Sequence, residues 1–189
     1  MCGRIVGFLK IRKSEMFYIG YVIVLFFLFH HIIGLAYISS GSMMPYLYTD
    51  DIMIFNRLAY IWDEPSRGDV ITFNRGKEAY CKRIVAIEGD VVSFEKMRLH
   101  INGIEVEEQY LIKVFPTLSD KTFEVPEGKV FVLGDCRMYS YDSREWDNPY
   151  VDIEDINGKE VCIIPLHKII NYFTGEDEWE EKVKLYLSL

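Results

Sequence analysis

Residues 16–38 read MFYIGYVIVLFFLFHHIIGLAYI, 23 positions without a single Asp, Glu, Lys or Arg. As a helix such a run extends roughly 34 Å at about 1.5 Å per residue, enough to cross a hydrocarbon core of about 30 Å. A chain carrying it must bury the run in lipid or lose it as a cleaved leader. Leader apolar regions span only about 7–15 residues, a length that Met16–Phe29 alone satisfies. No A-x-A cleavage site follows, so a permanent transmembrane helix over 16–38 is expected. Flanking charge orients it. Residues 1–15 hold Arg4, Lys10, Arg12 and Lys13 against Glu15, a net +3, and the chain total of −8 leaves −11 for residues 39–189. The positive-inside bias then places 1–15 in the cytoplasm and 39–189 on the outer face of the cell membrane. A single-pass protein with the lipid bilayer as partner is expected. His30 and His31 lie inside the run, where neutral imidazoles near the interface cost little, and they receive no role.

Composition narrows the body. Half of the residues are hydrophobic, with only 13 Gly and 6 Pro, which excludes disordered and collagen-like classes. The acidic balance argues against a nucleic-acid partner. Four cysteines in 189 residues are too few for a disulfide framework. Packed free thiols are favoured over a bridge between Cys81 and Cys136. With no H-E-x-x-H, no C-x-x-C and four scattered histidines, neither a metal nor a cofactor is expected.

From Ile52 onward, short apolar runs recur at Ile52–Phe55, Val70–Phe73, Ile84–Ile87, Val91–Phe94, Val130–Leu133 and Val161–Ile164, separated by Gly-containing turns. That spacing predicts a mainly β domain. Leu99–Ile101, Asn102-Gly103 and Ile104–Val106 form a two-residue hairpin signal. The stretch Gly175–Leu189 fits a short helix or a frayed tail equally well.

Three segments are dense in polar or reactive groups. Ser39-Ser40-Gly41-Ser42-Met43-Met44-Pro45 follows the apolar run directly, and by itself reads as a Ser/Gly linker. In Tyr80-Cys81-Lys82-Arg83-Ile84-Val85-Ala86 a lysine interrupts an apolar strand. If Tyr80, Lys82 and Ile84 share a strand face, Lys82 points where hydrophobic side chains normally go; alone, it could guard an edge strand. Gly134-Asp135-Cys136-Arg137-Met138-Tyr139-Ser140-Tyr141-Asp142-Ser143-Arg144 follows the run Val130–Leu133, and alone reads as a solvated loop.

Together, and in this order with Arg67-Gly68-Asp69-Val70 between the first two, they resemble the type I signal (leader) peptidases. These are membrane-anchored serine proteases with a Ser/Lys dyad. Ile156-Asn157-Gly158-Lys159 followed by Pro165 is similar to the family's closing element. The resemblance runs from about residue 10 to 170, and the short, singly anchored chain looks like the Gram-positive branch. It implies a signal-peptidase-like β-rich core with a small second lobe near 95–120. It implies Ser42 as nucleophile, Lys82 as general base, and Ser40 as an oxyanion-hole donor beside the Ser42 backbone N–H. Ser140 matches the serine that hydrogen-bonds and orients the lysine, and Asp142 with Arg144 matches a bracing pair. Exported preproteins are the implied partners, with small side chains one and three residues before the cut. Ile38, Met43, Leu47, Tyr80 and Cys81 are the candidate substrate-binding residues. The chain departs from the family at Ser39, usually proline, and at Cys136, usually asparagine. It also departs at Ala86-Ile87-Glu88-Gly89-Asp90, usually G-x-P-G-D.

The chemistry suits these residues. A serine hydroxyl needs a base to become a nucleophile, and a free lysine with a pKa of about 10.4 stays charged at neutral pH. Burial disfavours the ammonium and lowers that value. The expected function is removal of signal peptides from exported preproteins. The alternative is a catalytically inactive relative serving as an assembly factor for surface structures, against which the presence of both Ser42 and Lys82 weighs. A soluble, self-cleaving Ser/Lys repressor-type protease is disfavoured by the anchor and by the lack of a DNA-binding region.

Overall fold

The computed structural model describes residues 12–111 and 117–174. The stretch Gly175–Leu189 and most of the basic segment 1–15 lie outside the described residues. The apolar run divides in two. Helix α1 spans Lys13–Ile32, and strand β1 follows at once as Ile33–Tyr37. The helix therefore ends before residue 38, and its 20 residues still extend about 30 Å. Its stretch Ser14–Ile32 is long and apolar enough to cross a membrane. The switch to strand has a tertiary cause. Gly34 pairs with Phe55 across the first strand pair, and a Cβ on Gly34 would sit 2.1 Å from that ring. β1 is thereby clamped onto the domain rather than continued into lipid.

The body is built from two antiparallel sheets. The larger uses β1, β2 (Ile52–Asn56), β3 (Val70–Arg75), β4 (Glu78–Ala86), β9 (Lys129–Leu133), β10 (Tyr150–Asp152) and β11 (Ile156–Ile164). Their order is β1-β2-β11-β3-β4-β9-β10. A single helical turn, α2 (Ala59–Trp62), links β2 to β3, and α3 (Leu166–Thr174) follows β11. The smaller sheet takes β5 (Val91–Glu95), β6 (Arg98–Ile101), β7 (Ile104–Glu105) and β8 (Phe123–Glu124) in the order β7-β6-β5-β8. Its strands span 91–124, wider than the expected lobe at 95–120. The turn between β6 and β7 places Asn102 at φ 55° and Gly103 at φ 79°, the doubly left-handed geometry for which Asn-Gly is selected.

Period-two alternation explains the packing. On β9, Val130 and Val132 face a core with Ile71, Phe73, Ile84 and Trp146, whereas Phe131 and Leu133 face the smaller sheet's Val92, Leu99 and Phe123. Residues 82–86 of β4 are all buried, because both faces of the strand are covered there. A third cluster, Ile38, Met43, Leu47, Met53, Phe55 and Val70, packs beneath the segment carrying Ser42.

Candidate active site

Ser42 sits on a pinned turn. Ile38 N–H donates to Asp51 C=O at 2.9 Å, and Asp50 N–H returns a bond to Ile38 C=O at 2.8 Å. The chain then tightens into the 3₁₀ turn Gly41–Met43, closed by Met44 N–H on Gly41 C=O at 3.1 Å. From the far loop, Cys136 N–H donates to Ser42 C=O at 3.0 Å. Lys82 arrives from β4. There β3 covers one edge, with Ile71 opposite Lys82, while β9 begins to pair only at Arg83. The lysine thus stands where the second edge of β4 opens into a cleft of about 520 Å³.

Lys82 Nζ donates to Ser42 Oγ at 2.7 Å, and the lysine is only 4% exposed. Burial is the main force on its pKa and drives it below the ordinary lysine value. Arg144 adds to that lowering, while Cys81, Asp142 and Asp135 oppose it. Ser40 Oγ is 3.4 Å from Ser42 Oγ. Ser140 behaves differently from its expected role. It is buried, and its hydroxyl has no hydrogen-bond partner among the described residues, so the bond to the lysine is not made. The reason is packing: a Cβ on Gly134 would lie 2.2 Å from Ser140 Oγ, so the hydroxyl lies against that glycine.

Asp142 and Arg144 brace the loop. Arg144 Nε and one terminal nitrogen donate to the two Asp142 oxygens at 2.8 and 2.9 Å. Asp142 also accepts from Gly134 N–H at 3.0 Å, and Arg144 reaches Arg137 C=O at 2.7 Å. Of the expected substrate residues, Ile38, Met43, Tyr80 and Cys81 line the cleft. Leu47 does not; it is wholly buried in the cluster under the turn, because Leu47 N–H bonds Met43 C=O and folds the chain back into the core. Cys81, Cys136 and Cys162 are free thiols, and burial pushes Cys81 up to about 12. Among the described residues no group of three or more His, Cys, Asp or Glu could hold a metal ion.

The structure adds residues that sequence reasoning passed over. Arg83 donates to both Asp135 oxygens at 2.9 and 2.6 Å and to Gly68 C=O at 2.8 Å. Its guanidinium lies between the Tyr46 and Tyr110 rings, 4.8 and 4.2 Å from their centroids. Arg137 donates to Gly134 C=O at 3.0 Å, to Thr117 Oγ1 at 2.8 Å and to Glu108 at 2.9 Å. Both arginines are almost fully buried, so these partners offset the cost of taking each charge out of water. Arg83, Asp135 and Arg137 sit inside the motifs already quoted. Glu108 carries no sequence signal, because its partner lies 29 positions away in another lobe.

A family model described as "Signal peptidase, peptidase S26" matches residues 11–164. The chain is 37% identical over 138 residues to signal peptidase I of Bacillus caldolyticus, covering 65% of this chain and 75% of that protein. It is 36% identical over 135 residues to signal peptidase I of Leptolyngbya laminosa, covering 66% of this chain and 65% of that one. With signal peptidase I S of Bacillus subtilis, identity is 35% over 133 residues, covering 65% and 72%. A crystal structure of a signal peptidase I from Enterococcus faecalis matches at 30% identity and TM-score 0.46, covering 51% of this chain and 97% of that chain. The chain belongs to the peptidase S26 signal peptidase family, a family of serine peptidases.

Proposed function

We propose that this protein is a membrane-bound endopeptidase that removes signal peptides from exported precursors, with Ser42 as nucleophile and Lys82 as general base. The observation that carries the reading is a buried amine 2.7 Å from a serine oxygen. In its neutral form Lys82 Nζ takes the Ser42 proton as Oγ attacks the carbonyl carbon of the scissile bond. The Ser40 hydroxyl and the Ser42 backbone N–H stabilise the resulting oxyanion. The lysine then gives its proton to the departing amine, freeing the mature chain and leaving an acyl-enzyme on Ser42. A water molecule, deprotonated by the same amine, releases the signal peptide. Asp142 and Arg144 hold the loop that meets Ser42. Ser140 supports the same corner by packing against Gly134.

The precursor lies along the cleft in extended form, adding a strand to the open edge of β4 beside residues 38–42. Ile38, Met43 and Cys81 shape the shallow pockets for small side chains before the cut. No metal, cofactor or nucleic acid enters this chemistry. The chain divides into a cytoplasmic segment, an anchor and an outer catalytic domain. Protease added to intact cells then reaches a tag placed after Leu189 and spares one placed before Met1; the reverse pattern would sink this orientation.

The deciding experiment incubates detergent-solubilised protein with a panel of preproteins and sequences the new N-termini. Cleavage after small residues at the ends of the signal sequences is the expected result. Failure of the wild type to cleave any precursor would favour an inactive assembly role. Ser40→Ala provides a graded check. Losing one oxyanion donor should lower kcat by roughly 10²–10³ while leaving measurable cleavage, and an unchanged kcat would remove Ser40 from the oxyanion hole.

A further inference from the structure

One end of the cleft carries more chemistry than the dyad uses. By strand alternation Glu78, Tyr80 and Lys82 fall on one face of β4, and all three line the cleft. Tyr80 stacks on Phe73 with centroids 5.9 Å apart, and its hydroxyl donates to the Glu78 carboxylate at 2.8 Å. A packed ring therefore aims an exposed acid along the cleft wall. Among the described residues Glu78 has no ion-pair partner. Arg75 stands opposite it on β3 but lays its guanidinium 4.2 Å over Trp146 and donates to Asn148 C=O at 2.8 Å. Tyr37 lines the same cleft, but the Asp50 carboxylate to which its hydroxyl donates is not among the lining residues. Glu78 is the one carboxylate among the residues lining the cleft, and the charge it offers there is negative.

The direction of the bound chain rests on the peptidase reading above. β1 leaves α1 at Ile33, so Tyr37 lies nearer the helix along the chain than Ser42 does. A precursor whose apolar region lies in the bilayer beside α1 enters at the Tyr37 end and reaches Ser42 at its cut. Residues before the cut then face Glu78. At about 3.3 Å per residue, Glu78 lies about 13 Å from Lys82 along the strand, which matches a side chain four or five residues before the scissile bond. We propose that Glu78, held by Tyr80, is a specificity-determining residue that selects lysine or arginine at those positions.

The test uses the full chain and one cleavable preprotein carrying Lys, Gln or Glu four and five residues before the cut. For an exposed pair the expected effect is modest: wild-type kcat/KM favours Lys over Glu by about three- to fivefold, less in about 1 M salt. Glu78→Gln should flatten the preference and Glu78→Lys should reverse it. Equal Lys-to-Glu ratios in all three proteins would overturn the assignment. So would a preference that appears only when the lysine stands four residues after the cut, because the chain would then run the other way. A wild type that cleaves none of the precursors would overturn the peptidase reading and this inference together.

Discussion

Lys82→Arg is expected to reduce precursor cleavage to background, a loss of about 10⁴-fold or more in kcat. Guanidinium does not deprotonate in the accessible range, so the variant keeps the positive charge and loses the base. Lys82→Met removes the charge as well, and should be equally inactive while remaining folded by circular dichroism; it separates lost chemistry from a misplaced buried charge. The wild-type pH profile provides the complementary measurement. Because burial lowers the Lys82 pKa from the usual 10.5, the neutral, reactive form dominates above that lowered value. kcat/KM should therefore rise with pH and level off at a lower pH than an ordinary lysine would impose, falling on the acid side as the amine is protonated. Ser42→Ala should match Lys82→Met. Substantial cleavage by Lys82→Arg, or a profile still rising near pH 10.5, would remove Lys82 from the mechanism.

Gly134→Ala should slow cleavage by about 10²-fold although the substitution adds a single methyl group. Its Cβ would lie 2.5 Å from Ser42 C=O and 2.5 Å from Ser140 Cβ. The Ser42 carbonyl is itself fixed by Cys136 N–H, so relief requires the nucleophile's turn and the 134–144 loop to separate. A displacement of about 1 Å costs about 10²-fold in rate, and forced overpacking costs about 1–3 kcal/mol of stability. Kinetics and thermal melting on Gly134→Ala measure both. Gly20→Ala is the control, because nothing lies within 4 Å of a Cβ there. Wild-type kinetics in Gly134→Ala would show that the loop yields without moving Ser42.

The meeting of Ser42 and Lys82 was readable because the two residues sit in local motifs of fixed order. Joining Ser42 to Lys82 across 40 positions needed only the knowledge that such motifs share a site. The β runs were readable for a simpler reason. A strand between two packed faces, such as β4 at 82–86, must be apolar at successive positions, and a half-covered strand must alternate. The smaller sheet was partly readable, since the Asn102-Gly103 turn is a local signal, whereas its outer strand β8 is two residues long and carries no pattern of its own.

Charge around residues 16–38 determined by itself that the chain has a segment able to span a bilayer, because charge and hydropathy are properties of the chain before it folds. Where that segment stops being helical was a tertiary decision, taken by the Phe55 ring over Gly34. The same holds for Leu47, whose side chain looked suited to a pocket and instead fills the core under the turn. Ser140 packs against Gly134 rather than meeting the lysine, and Glu108 reaches Arg137 from another lobe. The lowered Lys82 pKa belongs with these. A lysine in the sequence is a cation by default, and only the surrounding layers, by excluding water from its amine, make the neutral form accessible. Contacts between distant segments depend on how sheets stack and loops cross, and no local pattern of residue types encodes them.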